Sequence, residues 1–209
     1  MAENPGDSFL IARERSEVES KVRGSRFVAR AFPINSREEA EELIAGLRKR
    51  EHDATHHCFA YILRDAGRGG GDSFRYSDGG EPSGSAGRPI YDRLCGAGLT
   101  DTLVIVTRYF GGTKLGVGGL VRAYGAAAAL ALEKSGAAER FEYVKFTMTL
   151  GFPLYQRLKA LILRLEGVMN QTEFGEVVQL NVSIRRSLAD EFERSFTELT
   201  GGKNSLNRI

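Results

Sequence analysis

The sequence predicts an α/β (α+β) protein in two domains, and three observations carry this prediction. Short stretches in which apolar and polar residues alternate, as in half-buried strands, lie between segments with apolar residues at helical spacing. A new strand and helix pattern begins after Gly136. The second pattern runs strand, helix, strand, strand, helix, which is most of a ferredoxin-like unit. A chain of 209 residues is long enough for two small domains.

The first domain is predicted to begin with a hairpin. Residues 15–33 contain two alternating stretches around Gly24, which is typical of a tight turn. Ser36 and Glu39 have the spacing of a capping box, which predicts the start of the first helix. Residues 57–63 are apolar enough to predict a strand.

A long loop rich in glycine and charge is predicted at residues 64–87, and a loop of this length is either disordered or functional. A short helix at 89–99, a buried strand at 102–110 and a long helix at 117–134 follow. One apolar face of the long helix is predicted to hold Val117, Leu120, Val121, Tyr124 and Ala128.

The second domain is expected to begin near residues 138–140, where the composition shifts, so that the domains are 1–138 and 140–209. Its predicted elements are a strand at 144–150, a helix from Pro153, strands at 168–174 and 177–185, and a helix at 188–199. A ferredoxin-like unit needs a closing strand. Residues 201–209 are too polar to predict this strand, and the sequence therefore does not decide whether it is present.

Composition narrows the class of protein. The net charge of +2 does not mark the whole chain as a polyanion binder, so any such role must rest on a local patch. Cys58 and Cys95 lack CxxC spacing and are typical of reduced thiols in the cytosol. No apolar run approaches the ~20 residues of a membrane helix, and no signal segment opens the chain. We expect a cytoplasmic protein without a membrane partner.

Residues 108–124, RYFGGTKLGVGGLVRAY, form the first candidate binding site. Glycines at a helix start leave backbone N–H groups unshielded, where the unpaired donors and the helix dipole favour anions. These glycines are Gly111, Gly112, Gly116, Gly118 and Gly119. Val117 stands where a P-loop needs lysine, and Val121 stands where a dinucleotide fingerprint needs its third glycine. Neither nucleotide fingerprint is present.

Three basic residues accompany the glycines, namely Arg108, Lys114 and Arg122. No acidic residue lies within 103–131. Arg122 is expected over the turn that holds Gly118, because helical side chains lean toward the N-terminus. Tyr109 could stack on an unpaired base. The alternative interpretation is a sharp structural turn with solvated basic side chains.

Residues 75–90, RYSDGGEPSGSAGRPI, form a second loop of possible function. Its candidate residues are Asp78, Glu81, Ser83 and Arg88. His56 and His57 precede this loop on a strand and point to opposite faces, so at most one can join the two carboxylates. Neither Ser83 nor Ser85 lies in a G-x-S-x-G elbow. We therefore predict no metal, no cofactor and no catalytic residue.

The segments SDGGEPSGSAGRPI and VTRYFGGTKLGVGGLVRAYG closely resemble motifs of the Impact/YigZ family, and ATHHCFAY is similar to its preceding strand segment. The resemblance extends over nearly the whole chain, because bacterial members carry a second, ferredoxin-like domain. The family usually has Asp-Asp-Gly-Glu-Pro, whereas Gly79 replaces the second Asp here, and Ser85 stands where Thr is common. The first departure weakens the idea of a paired acidic site that does chemistry.

The resemblance implies an N-terminal domain similar to ribosomal protein S5 domain 2, with helices on one side of a mixed sheet. It also implies a C-terminal domain similar to elongation factor G domain V, and a likeness to two consecutive domains of that factor, which touch RNA on the ribosome. Eukaryotic relatives act in translational control during the starvation stress response. No enzymatic activity is established for the family.

We therefore expect a non-enzymatic binding protein linked to translation, whose glycine-rich basic surface binds RNA or a ribosome-associated protein. One alternative is an enzyme that acts on a small phosphorylated or peptide substrate through Asp78 and Glu81. Another is a protein-interaction adaptor whose glycine loops are structural. The sequence gives no oligomeric state.

Overall fold

The computed structural model describes residues 7–64 and 72–209, and it confirms the predicted α/β (α+β) class. The chain divides into two units. The larger unit spans Phe9–Arg140, and the smaller one joins Phe141–Ile209 to the described residues up to Ser8. Within the described ranges, no helix combines the length and the apolar character needed to cross a membrane.

The larger unit is built on a five-stranded antiparallel sheet. The elements along this part of the chain are β1 (Ser8–Ala12), β2 (Ser16–Val22), β3 (Ser25–Pro33), α1 (Arg37–Arg50), β4 (His56–Leu63), β5 (Ser73–Ser77), α2 (Gly87–Gly96), β6 (Thr102–Tyr109), α3 (Val117–Ser135) and β7 (Ala137–Phe141). The main sheet has the order β2-β3-β6-β4-β5, and β1 pairs with β7 in a separate two-stranded sheet.

The central strand β6 is buried on both faces, which explains why helices cover both sides of the sheet. Ile105 contacts the core under α1, whereas its neighbours Val104 and Val106 contact the core under α2 and α3. All four pairings in the sheet are antiparallel. The expectation of helices on one side of a mixed sheet was therefore wrong, because a strand that is apolar on both faces needs cover on both.

Two predictions for the larger unit were wrong in detail. The loop predicted at 64–87 contains β5, an edge strand that pairs with β4, while residues 65–71 lie outside the described residues. Burial does not mark this strand, because all of its residues are at least partly exposed. In α3, Leu120 is buried, whereas Val117 is 57 % exposed and Val121 is 38 % exposed. The two valines therefore flank the buried stripe of the helix.

The smaller unit is an antiparallel sheet with two helices. Its elements are β8 (Tyr143–Leu150), α4 (Phe152–Arg164), β9 (Val168–Phe174), β10 (Val178–Arg185), α5 (Ala189–Thr200) and β11 (Leu206–Arg208). The strand order β11-β8-β10-β9 is that of a ferredoxin-like unit, as predicted. Its core includes Phe146 from β8 together with Phe192 and Phe196 from α5.

The closing strand that the sequence left open is present as β11. Leu206 pairs with Met148 across the ladder to β8. The Asn204 amide donates a hydrogen bond to the carbonyl oxygen of Thr149 at 2.9 Å. Leu206 is the one apolar residue of this three-residue strand, and backbone pairing with β8 places it. Apolar periodicity therefore gave no signal for it.

The domain boundary near residues 138–140 stays a prediction that brief digestion of the native protein with trypsin can check. We expect early cleavage after Arg140, which is exposed, because a two-stranded ladder such as β1–β7 is marginally stable and opens locally. Mass spectrometry of the first fragments is the measurement. Early cleavage inside β8, after Lys145, would contradict the boundary.

Candidate functional site

The candidate site lies at one end of the five-stranded sheet, where β4 begins and β6 ends. His56 and Arg108 face each other across this pair of strands. The glycine loop leads from β6 to the start of α3. Glu81, from the second loop, contacts Arg108 here. The two motifs found in the sequence therefore meet at one place.

A buried ion pair joins the two motifs. Arg108 Nη1 lies 2.6 Å from Glu81 Oε1, and the two side chains are 5 % and 4 % exposed. The Tyr124 hydroxyl donates to the same oxygen at 2.8 Å. Arg108 Nη2 donates to Ser25 Oγ at 3.2 Å. Because buried charges are stable only when they are paired and hydrogen-bonded, this network ties β3, β6, α3 and the second loop together.

Arg108 therefore forms part of the wall of the site. Glu81 neutralises its charge, so the guanidinium does not present a free cation to a ligand. Its Cζ lies 5.5 Å from the ring centres of Phe27 and Phe110. Within the described part of the chain, Arg108 Nε is buried without a hydrogen-bond partner.

Asp78 fixes the conformation of the second loop. Its carboxylate accepts hydrogen bonds from the backbone N–H groups of Gly84, Ala86 and Gly87 at 2.9, 2.9 and 2.8 Å. Burial opposes ionisation of this carboxyl group, but the three N–H donors outweigh it and lower the pKa of Asp78. The carboxylate thus orders the turn that leads into α2.

Gly79 packs directly on β4. Its φ is +55°, and a Cβ at this position would overlap the carbonyl oxygen of His57. The loop geometry of this chain therefore excludes the aspartate that is usual in the family. The other two candidates lie outward, since Ser83 is exposed and Arg88 pairs with Asp92 on α2 at 2.7 Å.

The adjacent histidines point to opposite faces of β4, as predicted. His56 Nδ1 lies 3.0 Å from the carbonyl oxygen of Gly79, which can only accept, so Nδ1 carries a proton. His56 Nε2 then faces Glu81 Oε2 at 3.8 Å. The ring of His57 instead contacts the carbonyl oxygen of Glu51 and the hydroxyl of Thr107.

The glycine loop packs on the turn between β2 and β3. A Cβ at Gly111 would overlap the backbone of Gly24, and the Gly111 N–H donates to Ser25 Oγ at 3.2 Å. This close approach is possible only without a side chain. Of the five candidate glycines, Gly119 is half-buried and the others are exposed, namely Gly111, Gly112, Gly116 and Gly118.

Lys114 and Arg122 are exposed, and neither has a carboxylate partner within the described ranges. Arg122 Nη1 would lie 3.6 Å from a Cβ at Gly118, so its side chain covers the first turn of α3, as expected. No side chain caps this helix at Gly116. The first-turn N–H groups therefore remain available beside two positive charges.

Phe110, rather than Tyr109, is the exposed aromatic residue beside the glycine loop. The guanidinium of Arg26 lies over the Tyr109 ring, with its Cζ 3.8 Å from the ring centre, and covers one face. Phe110 is 49 % exposed and lines a cavity beside the glycine loop. The aromatic group available for stacking at this end of the sheet is therefore Phe110.

The cavity has a volume of about 420 Å³ and lies between the two loops. Its apolar wall is formed by Pro82, Phe110, Leu115, Val117 and Leu120. Its polar residues are Thr55, His56, Glu81, Arg108 and Lys114. An apolar enclosure with a few polar groups is typical of a site for a small ligand or for one group of a larger ligand.

Sequence reasoning missed three residues that build the site. Tyr124 carried a signal, because a buried tyrosine on an apolar helix face usually has a hydrogen-bond partner for its hydroxyl group. Ser25 was predicted only as part of a turn, and Phe110 only as the end of a strand. Their contacts depend on segments that are distant in the chain.

The Glu81→Gln variant tests the buried ion pair. It leaves the guanidinium of Arg108 without its counter-charge, and we expect a loss of about 3 kcal/mol in the free energy of unfolding. Urea denaturation is the measurement. In the control Glu19→Gln, the lost ion pair with Arg26 is exposed, so the loss should stay below about 1 kcal/mol. Equal losses for both variants would contradict the network.

The two cysteines should differ in reactivity. Cys58 is buried and donates to the carbonyl oxygen of Asp78 at 2.9 Å, and burial raises the pKa of its thiol to about 12. Cys95 is exposed. With iodoacetamide at pH 8, we expect mass spectrometry to show alkylation of Cys95 alone in the native protein and of both thiols in urea. Rapid native alkylation of Cys58 would show that the second loop does not stay closed over β4.

Two family models match this chain. The Impact N-terminal domain matches residues 23–132. A domain of unknown function, DUF1949, matches residues 148–203. Each match falls within one of the two units.

Curated relatives and a solved structure match over most of the chain. IMPACT family member YvyE of Bacillus subtilis (strain 168) is 32% identical over 200 residues, 95% of this chain and 90% of the relative. IMPACT family member YigZ of Escherichia coli (strain K12) is 28% identical over 97% of this chain and 98% of the relative. The crystal structure of a hypothetical protein is similar with a TM-score of 0.70 and 28% identity, over 97% of this chain and 98% of that chain.

These matches cover both units and confirm the resemblance carried by the two glycine motifs. The first model alone spans more than half of the residues. The chain therefore belongs to the IMPACT family.

Proposed function

We propose that this protein is a non-enzymatic regulatory protein of translation whose glycine loop binds the phosphates of RNA. The observation that carries the proposal is the pair of exposed cations, Lys114 and Arg122, which have no carboxylate partner among the described residues and lie beside the open N-terminal turn of α3. Backbone N–H groups and lysine or arginine side chains are the usual donors to phosphate oxygens. The segment 103–131 holds no acidic residue that would repel a polyanion.

Family membership supports the link to translation. The resemblance to Impact/YigZ proteins implies a likeness to domains of elongation factor G that touch RNA on the ribosome. It also implies kinship with eukaryotic proteins of translational control. A ribosome-associated protein that presents anions is the alternative partner for the same surface.

The two carboxylates of the second loop support a binding role over an enzymatic one. Asp78 is hydrogen-bonded to three backbone N–H groups, which stabilise its ionised form. Glu81 is held by Arg108 and Tyr124. A general acid or base must exchange its proton with substrate, and here both carboxylates are engaged in holding the loop.

The test is a fluorescence titration of the full chain with a labelled single-stranded RNA at several salt concentrations. Two exposed cations that contact two phosphates give a log–log salt slope of about −1.4, from about −0.7 per phosphate on a single strand. The variant Lys114→Glu with Arg122→Glu should bind at least tenfold more weakly, because both contacts become repulsive. Micromolar or weaker affinity is expected for the parent.

The matched control reverses the same number of charges in the smaller unit, with Arg157→Glu and Lys203→Glu, two exposed residues. This control should bind as the parent does, and circular dichroism should show that both variants are folded. If the loop variant binds RNA as tightly as the parent with the same salt slope, the glycine loop is a structural turn and the proposal fails.

A further inference from the structure

We propose that the cavity beside the glycine loop receives an unpaired adenine or cytosine and recognises its exocyclic amino group. This inference rests on the proposed function, since the base belongs to the RNA whose phosphates the loop binds. The cavity volume of about 420 Å³ lies in the range of small-ligand pockets, roughly 300–1,000 Å³. The cavity is therefore large enough for a single base.

The walls of the cavity suit the flat faces of a base. Phe110 is 49 % exposed and Val117 is 57 % exposed, and both line the cavity together with Leu115. Exposed apolar side chains around a cavity favour an apolar or aromatic occupant, and bases stack on aromatic rings regardless of sequence. The rim thus favours a ligand that stacks on aromatic and apolar side chains over a ligand that is held by charge alone.

The polar groups of the cavity select which base enters. Glu81 Oε1 already accepts from Arg108 and Tyr124, whereas Glu81 Oε2 faces His56 Nε2 at 3.8 Å, beyond hydrogen-bond distance. His56 Nδ1 donates to the carbonyl oxygen of Gly79, so when the ring is uncharged Nε2 accepts. A donor with two hydrogens can then bridge His56 Nε2 and Glu81 Oε2.

An exocyclic amino group is such a donor, and adenine N6 and cytosine N4 present it on the edge that faces away from the sugar. Uracil presents a carbonyl oxygen at the corresponding position, which would face two acceptors. The cavity should therefore admit adenine or cytosine in preference to uracil.

The same loop can hold the phosphate of the inserted nucleotide. Lys114 and Val117 both line the cavity, and the N–H of Val117 belongs to the first turn of α3. Base and phosphate are thus recognised by adjacent groups. This continuity favours a nucleotide over an unrelated apolar ligand.

Three ten-residue RNA oligomers of equal charge test the proposal with the full chain. The first is oligoadenylate, the second carries unsubstituted purine and lacks only the amino group, and the third is abasic throughout. Loss of one hydrogen-bonding group should weaken binding about three- to tenfold. Loss of the stacking base should weaken it about tenfold or more.

Single substitutions test which residues contact the base. Phe110→Ala should weaken oligoadenylate at least fivefold and leave the abasic oligomer unchanged, and His56→Ala should remove the preference for adenine over purine. Phe74→Ala is the control, because Phe74 is an exposed aromatic residue on β5 that does not line the cavity. Circular dichroism should confirm the fold of each variant.

The outcomes separate this inference from the proposed function. If all three oligomers bind equally and salt-dependently through Lys114 and Arg122, the cavity does not take a base, while phosphate binding stands. If Phe110→Ala weakens the abasic oligomer as much as oligoadenylate, the cavity proposal is also overturned. If none of the oligomers binds, both proposals fail.

Discussion

The salt bridge between Arg108 and Glu81 holds together the end of the sheet where the candidate site lies. Both side chains are almost fully buried, so neither can leave the other without stranding a charge in an apolar environment. Ser25 and Tyr124 complete the network from β3 and α3. Four segments that are distant in the chain are thereby fixed within a few ångströms, and the cavity and the glycine loop take their shape from them.

In this arrangement, some charged residues of the site stabilise the fold and others are exposed to solvent. Arg108 is neutralised inside the protein, and Asp78 is used to order the second loop. Lys114 and Arg122 remain exposed at the surface. Phosphate contacts position a nucleic acid without reading its sequence, so any specificity must come from another group. In the proposed complex, the apolar cavity lined by His56 and Glu81 would supply it.

Much of the fold followed from local patterns. The capping box at Ser36 predicted α1, and the Ser36 hydroxyl accepts from the Glu39 N–H at 3.1 Å. Alternation predicted β8 and β10, and helical spacing predicted α4 and α5. The edge strands β5 and β11 escaped prediction because they are short and bury little apolar surface. Their positions come from backbone pairing with a neighbouring strand, which no local pattern records.

The sequence by itself determined the two glycine motifs, their basic neighbours and the opposed directions of His56 and His57, because each depends on residue type and on spacing along one element. Tertiary structure decided which charged side chains are buried in ion pairs and which are exposed. No local sequence pattern indicates that Arg108 pairs with Glu81. Likewise, none indicates that Phe110 and Val117 stay exposed beside a cavity. Those outcomes depend on which segments pack together at the end of the sheet, since burial and charge partners are properties of contacts between distant parts of the chain.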